Sequence, residues 1–188
     1  YKATGSSGDG YAFARALGNN IITPRAALVP IYLREDVSSL AGLSLRNVTV
    51  SLRAPGKKTQ SLFGEMLFMH KGVSGPVILS LSDLCRDMTN GGSFVQGSVL
   101  EIDLKPALDH EKLDKRLIRE LLAGHTKQMK NIMPALVPGS LIPFVLAGAG
   151  IAQDMRACDI TVAQRSALAD ALKGLAFTPV RTGSIEEG

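Results

Sequence analysis

Thirteen residues, Gly64-Glu65-Met66-Leu67-Phe68-Met69-His70-Lys71-Gly72-Val73-Ser74-Gly75-Pro76, bring an imidazole, a hydroxyl and a glycine-rich turn to the end of an apolar run. His70 follows a candidate strand and precedes a candidate glycine loop, the kind of place where scaffolds meet ligands. Two readings of it stay open, a satisfied structural histidine and a pocket residue beside a cofactor or substrate. Backbone amides around Gly72 to Gly75 are suited to polarising a carbonyl. A second block, Thr4-Gly5-Ser6-Ser7-Gly8-Asp9-Gly10-Tyr11, opens a short helix with Gly8, Asp9 and Gly10 at its N-terminus. The first helical amides lack partners within the helix, so they can face a polar or anionic ligand.

Other motifs fail on inspection. Gly72-Val73-Ser74-Gly75-Pro76 is close to the nucleophile elbow of hydrolases, but Pro76 stands where that elbow needs glycine. Ala147-Gly148-Ala149-Gly150-Ile151-Ala152-Gln153 begins like a dinucleotide fingerprint, but Gln153 takes the place of the third glycine and no βαβ pattern surrounds it. The other histidines, His110 and His125, lie in or beside a charged helix and read as solvent-facing. No His or carboxylate joins His70 at ligand spacing, so no metal is expected.

The elements that must carry these residues change character along the chain. Residues 8–18 read as a helix capped by Ser7 or Asp9, with Tyr11, Phe13, Ala14 and Leu17 as its apolar side. From Ala26 to Leu104 the period is two. Leu28 to Leu33 is one strand candidate, with Pro30 marking an edge or bulge. Val48, Val50 and Leu52 alternate with polar residues, and Ala54 to Lys58 turns the chain into a second strand, about Thr59 to Phe68. Pro76 starts a helix to about Leu84, with Ser74 as a cap, and Asn90-Gly91-Gly92 is a loop. Val99, Ile102 and Leu104 finish the strand-rich part. After Pro106 the chain is helical. Asp109 caps a helix bearing Leu113, Leu117, Leu121 and Leu122, and Thr161 with Gln164 forms a capping box for another. Strands first and helices after predict an α+β protein and argue against a doubly wound sheet.

The totals narrow the function classes. At 188 residues the chain holds one domain or two small ones. Cys85 and Cys158 are too few for a disulfide framework and read as free thiols of a reduced compartment. No apolar run reaches the ~18 residues of a membrane helix, and a soluble, cytoplasmic protein is expected. Of the net charge of +4, residues 1–60 supply +5, from eight Lys/Arg against three Asp/Glu. That excess is modest for a nucleic-acid binder. It leaves one alternative function standing, a non-catalytic basic barrel that holds RNA or another anion.

Taken together, the blocks Thr4–Tyr11 and Gly64–Pro76 resemble the aminoacetone oxidase-like FAD-dependent oxidoreductases, a family that includes bile-acid reductases. Pro24, Leu28, Val29 and Pro30 match a further block loosely. The matches depart from the family pattern at Ser7, Met69 and Asn19, where Thr, Thr and His are usual. The resemblance implies a small antiparallel β-barrel module (25–105) followed by a small helical bundle (106–174). Residues 1–24 and 175–188 would then be pieces of a split Rossmann domain. It implies FAD in a longer parent protein, bound little or not at all by this chain alone. Gly8, Asp9, Gly10, Gly72 and Gly75 would lie near the cofactor, with His70 and Ser74 on the catalytic side. The implied partners are the rest of the flavoprotein and a small organic substrate, with neither membrane nor nucleic acid.

Overall fold

The computed structural model describes residue 5 and residues 7–185. Thr4 and Ser6 of the first glycine block lie outside the described residues, as does the end of the expected 175–188 segment.

Nine antiparallel strands form one sheet: β1 (Ile31–Leu33), β2 (Ser44–Arg53), β3 (Gln60–Met69), β4 (Gly72–Ser74), β5 (Thr89–Asn90), β6 (Ser93–Phe94), β7 (Val99–Asp103), β8 (Leu175–Phe177) and β9 (Pro179–Thr182). Their order is β5-β6-β9-β1-β4-β3-β2-β7-β8. The sheet closes on itself because β8 and β9 are one run of chain kinked at Thr178. β8 pairs with β7, and β9 pairs with β1. The result is a small barrel of six staves, with the β5–β6 hairpin hanging on β9.

Residues 175–182, part of the segment expected to return towards a cofactor domain, form β8 and β9 of the barrel wall. Glu35 makes the kink tolerable, because its carboxylate oxygens accept from Thr178 N at 2.9 and 3.1 Å. Without them that amide would lack its ladder partner.

The alternation read from the sequence sets the wall. Val48, Val50 and Leu52 of β2, Met66 and Phe68 of β3, Leu100 and Ile102 of β7, and Phe177 of β8 all point inward and are buried. Between Leu45 and Val48 the register shifts by a bulge, and Asn47 there adopts φ 55°. Asn is among the few non-glycine residues that tolerate this region.

Six α-helices stand beside the sheet among the described residues: α1 (Asp9–Ala16), α2 (Pro76–Leu84), α3 (His110–Ala123), α4 (Met129–Ile132), α5 (Ile142–Gly148) and α6 (Val162–Lys173). α3 starts at Asp109, whose Oδ1 accepts from Lys112 N at 2.8 Å, and α6 starts at the Thr161–Gln164 capping box. Helices α3 to α6 sit between β7 and β8 in sequence. Phe144 of α5 reaches Phe177 of β8, which in turn meets Phe68 edge-on at 5.8 Å. One continuous hydrophobic core therefore runs from barrel to helices. α1 differs from the others: it buries none of its residues, and Tyr11, Phe13 and Leu17 are exposed. Neither Ser7 nor Asp9 caps it. Gly8, in the left-handed region, stands at its start without a side-chain cap. Among the described residues, no helix is long and apolar enough to cross a membrane.

Candidate functional site

The chain enters and leaves the barrel side by side. Gly183 N donates to Pro30 O at 2.7 Å, next to the Ile31–Thr182 rung. Continuing that rung across the sheet gives Val73 and then Phe68. One residue further toward the crossings lie Ser74 and its partner Leu67. α2 is fastened to the same end, since Ser82 Oγ accepts from Val29 N at 3.0 Å and donates to Leu79 O at 2.7 Å.

The Gly72–Pro76 segment is a strand, a glycine and a helix, not the loop read from the sequence. β4 lies between β1 and β3, and Gly72 pairs with Tyr32 on one side and Met69 on the other. A Cβ at Gly72 would stand 2.2 Å from Ile31 O. Gly72 is buried, so its lack of a side chain serves strand packing and it presents no surface to a cofactor. Gly75 follows with φ 93°, a conformation L side chains rarely adopt, and is the residue before α2. A Cβ there would stand 3.0 Å from Met66 Cα. Ser74, expected to cap α2, lies one residue too early and makes no cap. Because Val73 is buried, alternation turns the half-buried Ser74 to the opposite face.

His70 is not beside Ser74. It forms the β3–β4 turn with Lys71, where Lys71 O accepts from Leu33 N at 3.0 Å. That is the opposite end of the three-residue strand β4 from Ser74, which is four residues further along the chain. Neither His110 nor His125 stands on β4 or α2, and His110 instead lies 3.6 Å from Asp170. Gly8, Asp9 and Gly10 begin α1 and line a shallow concavity with Tyr11. The structure thus groups Ser74 and Gly75 with the chain crossings and sets His70 apart.

A feature the sequence reading missed lies beside the crossings. A cleft of ≈ 460 Å³ is lined by Arg25, Ser82, Arg86, Asn90, Gly92 and Ser184 among others. Arg86 is paired with Asp83 of α2. Arg25 has no ion-pair partner among the described residues. Asn90-Gly91-Gly92, read as a loop, holds the two-residue turn of the β5–β6 hairpin, with φ 57° and 87° at its glycines and Asn90 paired to Ser93. The lining comes from both ends of the chain, which is why no local pattern revealed it. Cys85, next to Arg86, is no nucleophile. Burial, helped by Asp87, pushes its thiol up to about 12.

Residues 25–188 match the family model described as "HI0933-like protein barrel and H2TH domain". The chain belongs to this family. The barrel and the helices between β7 and β8 both lie within the matched residues. The chain is 29% identical over 175 residues to a ribosomal RNA dihydrouridine synthase of Haemophilus influenzae, covering 93% of this chain and 40% of that protein. It is 31% identical over 144 residues to the ribosomal RNA dihydrouridine synthase of Escherichia coli, covering 73% and 31%. It is 24% identical over 177 residues to a 3-dehydro-bile acid delta(4,6)-reductase of Clostridium scindens, covering 94% and 42%. The chain thus spans less than half the length of the curated relatives it matches.

Proposed function

We propose that this barrel and helical body forms the substrate-side wall of a flavin-dependent oxidoreductase. The observation that carries the reading is the side-by-side crossing at Pro30 and Gly183, on the barrel end that bears Ser74 and Gly75. A body entered and left at one point is suited to insertion in a longer chain, with that end facing its host. The relatives' names support a reductive activity, and the glycine blocks support flavin. α1, with Tyr11 and Phe13 exposed on it and Leu17 exposed at its C-terminal cap, has the composition of a surface meant to be covered.

The described residues do not by themselves fit a dinucleotide. Gly72 is buried, Gly75 is held against Met66 and Leu67, and Gly8 to Gly10 begin a helix that packs nothing. They supply at most one face, so FAD belongs to the longer protein. When bound there, flavin supplies hydride exchange, and the protein supplies position and electrostatics. Ser74 is the side chain best placed to orient a substrate carbonyl by hydrogen bonding.

The relatives' names share one chemistry. A dihydrouridine is a uridine with its ring double bond reduced, and a delta(4,6)-reductase saturates double bonds of a 3-oxo compound. The substrate class is accordingly a carbon–carbon double bond conjugated to a carbonyl. One surface favours an RNA-borne substrate over the small molecule expected from the resemblance. Residues 125–130 lie against 153–158, with Lys127 O accepting from Ala157 N and Lys130 N donating to Gln153 O. This ribbon carries Lys127, Lys130 and Arg156 without ion-pair partners among the described residues, against one carboxylate, Asp154, a net-positive pattern suited to phosphates.

The test is a flavin-fluorescence titration of this chain and of the longer protein, followed by turnover of Ser74→Ala in the longer protein. Flavin bound only by the longer protein, and kcat/KM reduced about 10-fold or more with flavin still bound, is the expected result. Turnover within twofold of wild type refutes the role of Ser74. Failure of the longer protein to bind flavin refutes the flavoenzyme reading.

A further inference from the structure

The two arginines at the crossings stand in an unusual electrostatic setting. Arg25 and Arg86 both line the ≈ 460 Å³ cleft and also an adjoining one of ≈ 480 Å³, which continues along Ile22, Thr23 and Ala27. No carboxylate lines either cleft among the described residues. Asp83 balances Arg86 from within α2, and Asp87 follows on the chain, whereas Arg25 has no ion-pair partner among the described residues. Arg86 already has Nε and Nη2 on Asp83 Oδ1, so its Nη1 and the Arg25 guanidinium are the groups the concave wall offers to a further anion. The guanidinium fork matches phosphate oxygens in a bidentate way.

The walls add hydrogen-bonding capacity of the same kind. The Gly91–Gly92 turn brings backbone close to the cleft without side chains in the way, and Asn90 also lines it. The Ser82 hydroxyl is already used by Val29 N and Leu79 O, so it shapes the floor rather than binding. Each cleft falls within the roughly 300–1,000 Å³ of small-molecule sites, far more than a lone phosphate fills. The second, bordered by Ile22 and Ala27, is suited to a less polar group.

We infer that the paired clefts form a nucleotide site, in which Arg25 and Arg86 together grip a diphosphate and the nucleoside lies in one of the adjoining hollows. This goes beyond the proposed flavoenzyme role and does not depend on it. A ligand seated there touches both the incoming segment at Arg25 and the outgoing segment at Ser184.

The experiment is calorimetric titration of the 188-residue chain with ADP, inorganic pyrophosphate and adenosine at low and moderate salt. ADP and pyrophosphate should bind, adenosine should not, and affinity should fall with salt. Arg25→Ala, on an exposed irregular segment, leaves the fold intact and should weaken ADP binding at least 10-fold. Arg25→Ala/Arg86→Ala should abolish it, while Lys57→Ala/Lys58→Ala, on the distant β2–β3 turn, should not change it. No heat at millimolar ADP, or equal binding by Arg25→Ala with an unchanged melting curve, overturns the site. A short single-stranded RNA that displaces ADP at equal phosphate concentration overturns the nucleotide assignment in favour of a nucleic-acid backbone.

Discussion

Gly72→Ala is the substitution that separates a packing role from a ligand role for the glycine-rich segment. The added Cβ would lie 2.2 Å from Ile31 O and 2.9 Å from Tyr32 Cα. Carbon–oxygen contacts close to about 3.3 Å at best, so β1 must retreat by about 1 Å. Backbone cannot rotate aside as a side chain does. The retreat strains the Ile31–Val73 and Tyr32–Gly72 rungs and the Leu33 N to Lys71 O bond. At about 0.5–1.5 kcal/mol for each of these, the loss is about 2–4 kcal/mol. Overpacking costs measured elsewhere fall in the same range, about 1–3 kcal/mol. Set against the roughly 5–15 kcal/mol that holds a typical domain, this is a large fraction. Urea unfolding followed by far-ultraviolet circular dichroism measures it, provided the slope stays constant. Gly139→Ala is the control, because a Cβ there meets nothing within 4 Å. A Gly72→Ala variant within about 0.5 kcal/mol of wild type refutes the reasoning, since surface changes alone stay inside that band.

Lys173→Met tests the joint between α6 and the barrel. Lys173 Nζ lies 2.6 Å from Asp103 Oδ2 and donates to Lys105 O and Leu108 O at 3.1 and 2.8 Å, with both side chains largely shielded. Removing the cation strands Asp103 and two carbonyls, at a cost of about 2–3 kcal/mol. Calorimetry should show the melting temperature about 5–10 °C lower, and a change under 2 °C rules the joint out as important. The cysteines should separate cleanly. A thiol reagent at pH 8 should label exposed Cys158 in the native protein and reach buried Cys85 only after denaturation. Because folding raises the Cys85 pKa from about 9 to about 12, its share of stability is complete below pH 9. That share falls by about 1.4 kcal/mol per pH unit as pH rises toward 12. Cys85→Ala should therefore flatten the stability curve above pH 9, and an unchanged slope contradicts the buried thiol.

What the sequence determined by itself is whatever depends on neighbours along the chain. The alternation of Val48, Val50 and Leu52 marked an inward strand face, because side chains in a strand switch sides at every residue. Pro76 marked the first turn of α2, where a missing amide costs nothing, and Asp109 and Thr161 marked helix starts for the same local reason. The glycine blocks were legible as a family resemblance, which the barrel and H2TH match supports at the level of the domain. The tertiary structure decided what depends on residues far apart. Residues 175–188 were expected as a piece of a split Rossmann domain, and the structure uses 175–182 of them to close the barrel between the edges of β7 and β1. Gly72 and Gly75 read alike as ligand-facing glycines, but one is forced by the approach of β1 and the other by a turn of positive φ. His70 and Ser74 are four apart in sequence and were expected on one active face. A three-residue strand, β4, runs between them and carries them to opposite ends. The arginine-lined cleft had no sequence signature, because its walls come from residue 25, from 82 to 92 and from 182 to 185. Only the pairing of the incoming and outgoing segments brings those walls together, and that pairing is set by strand register rather than by any local preference.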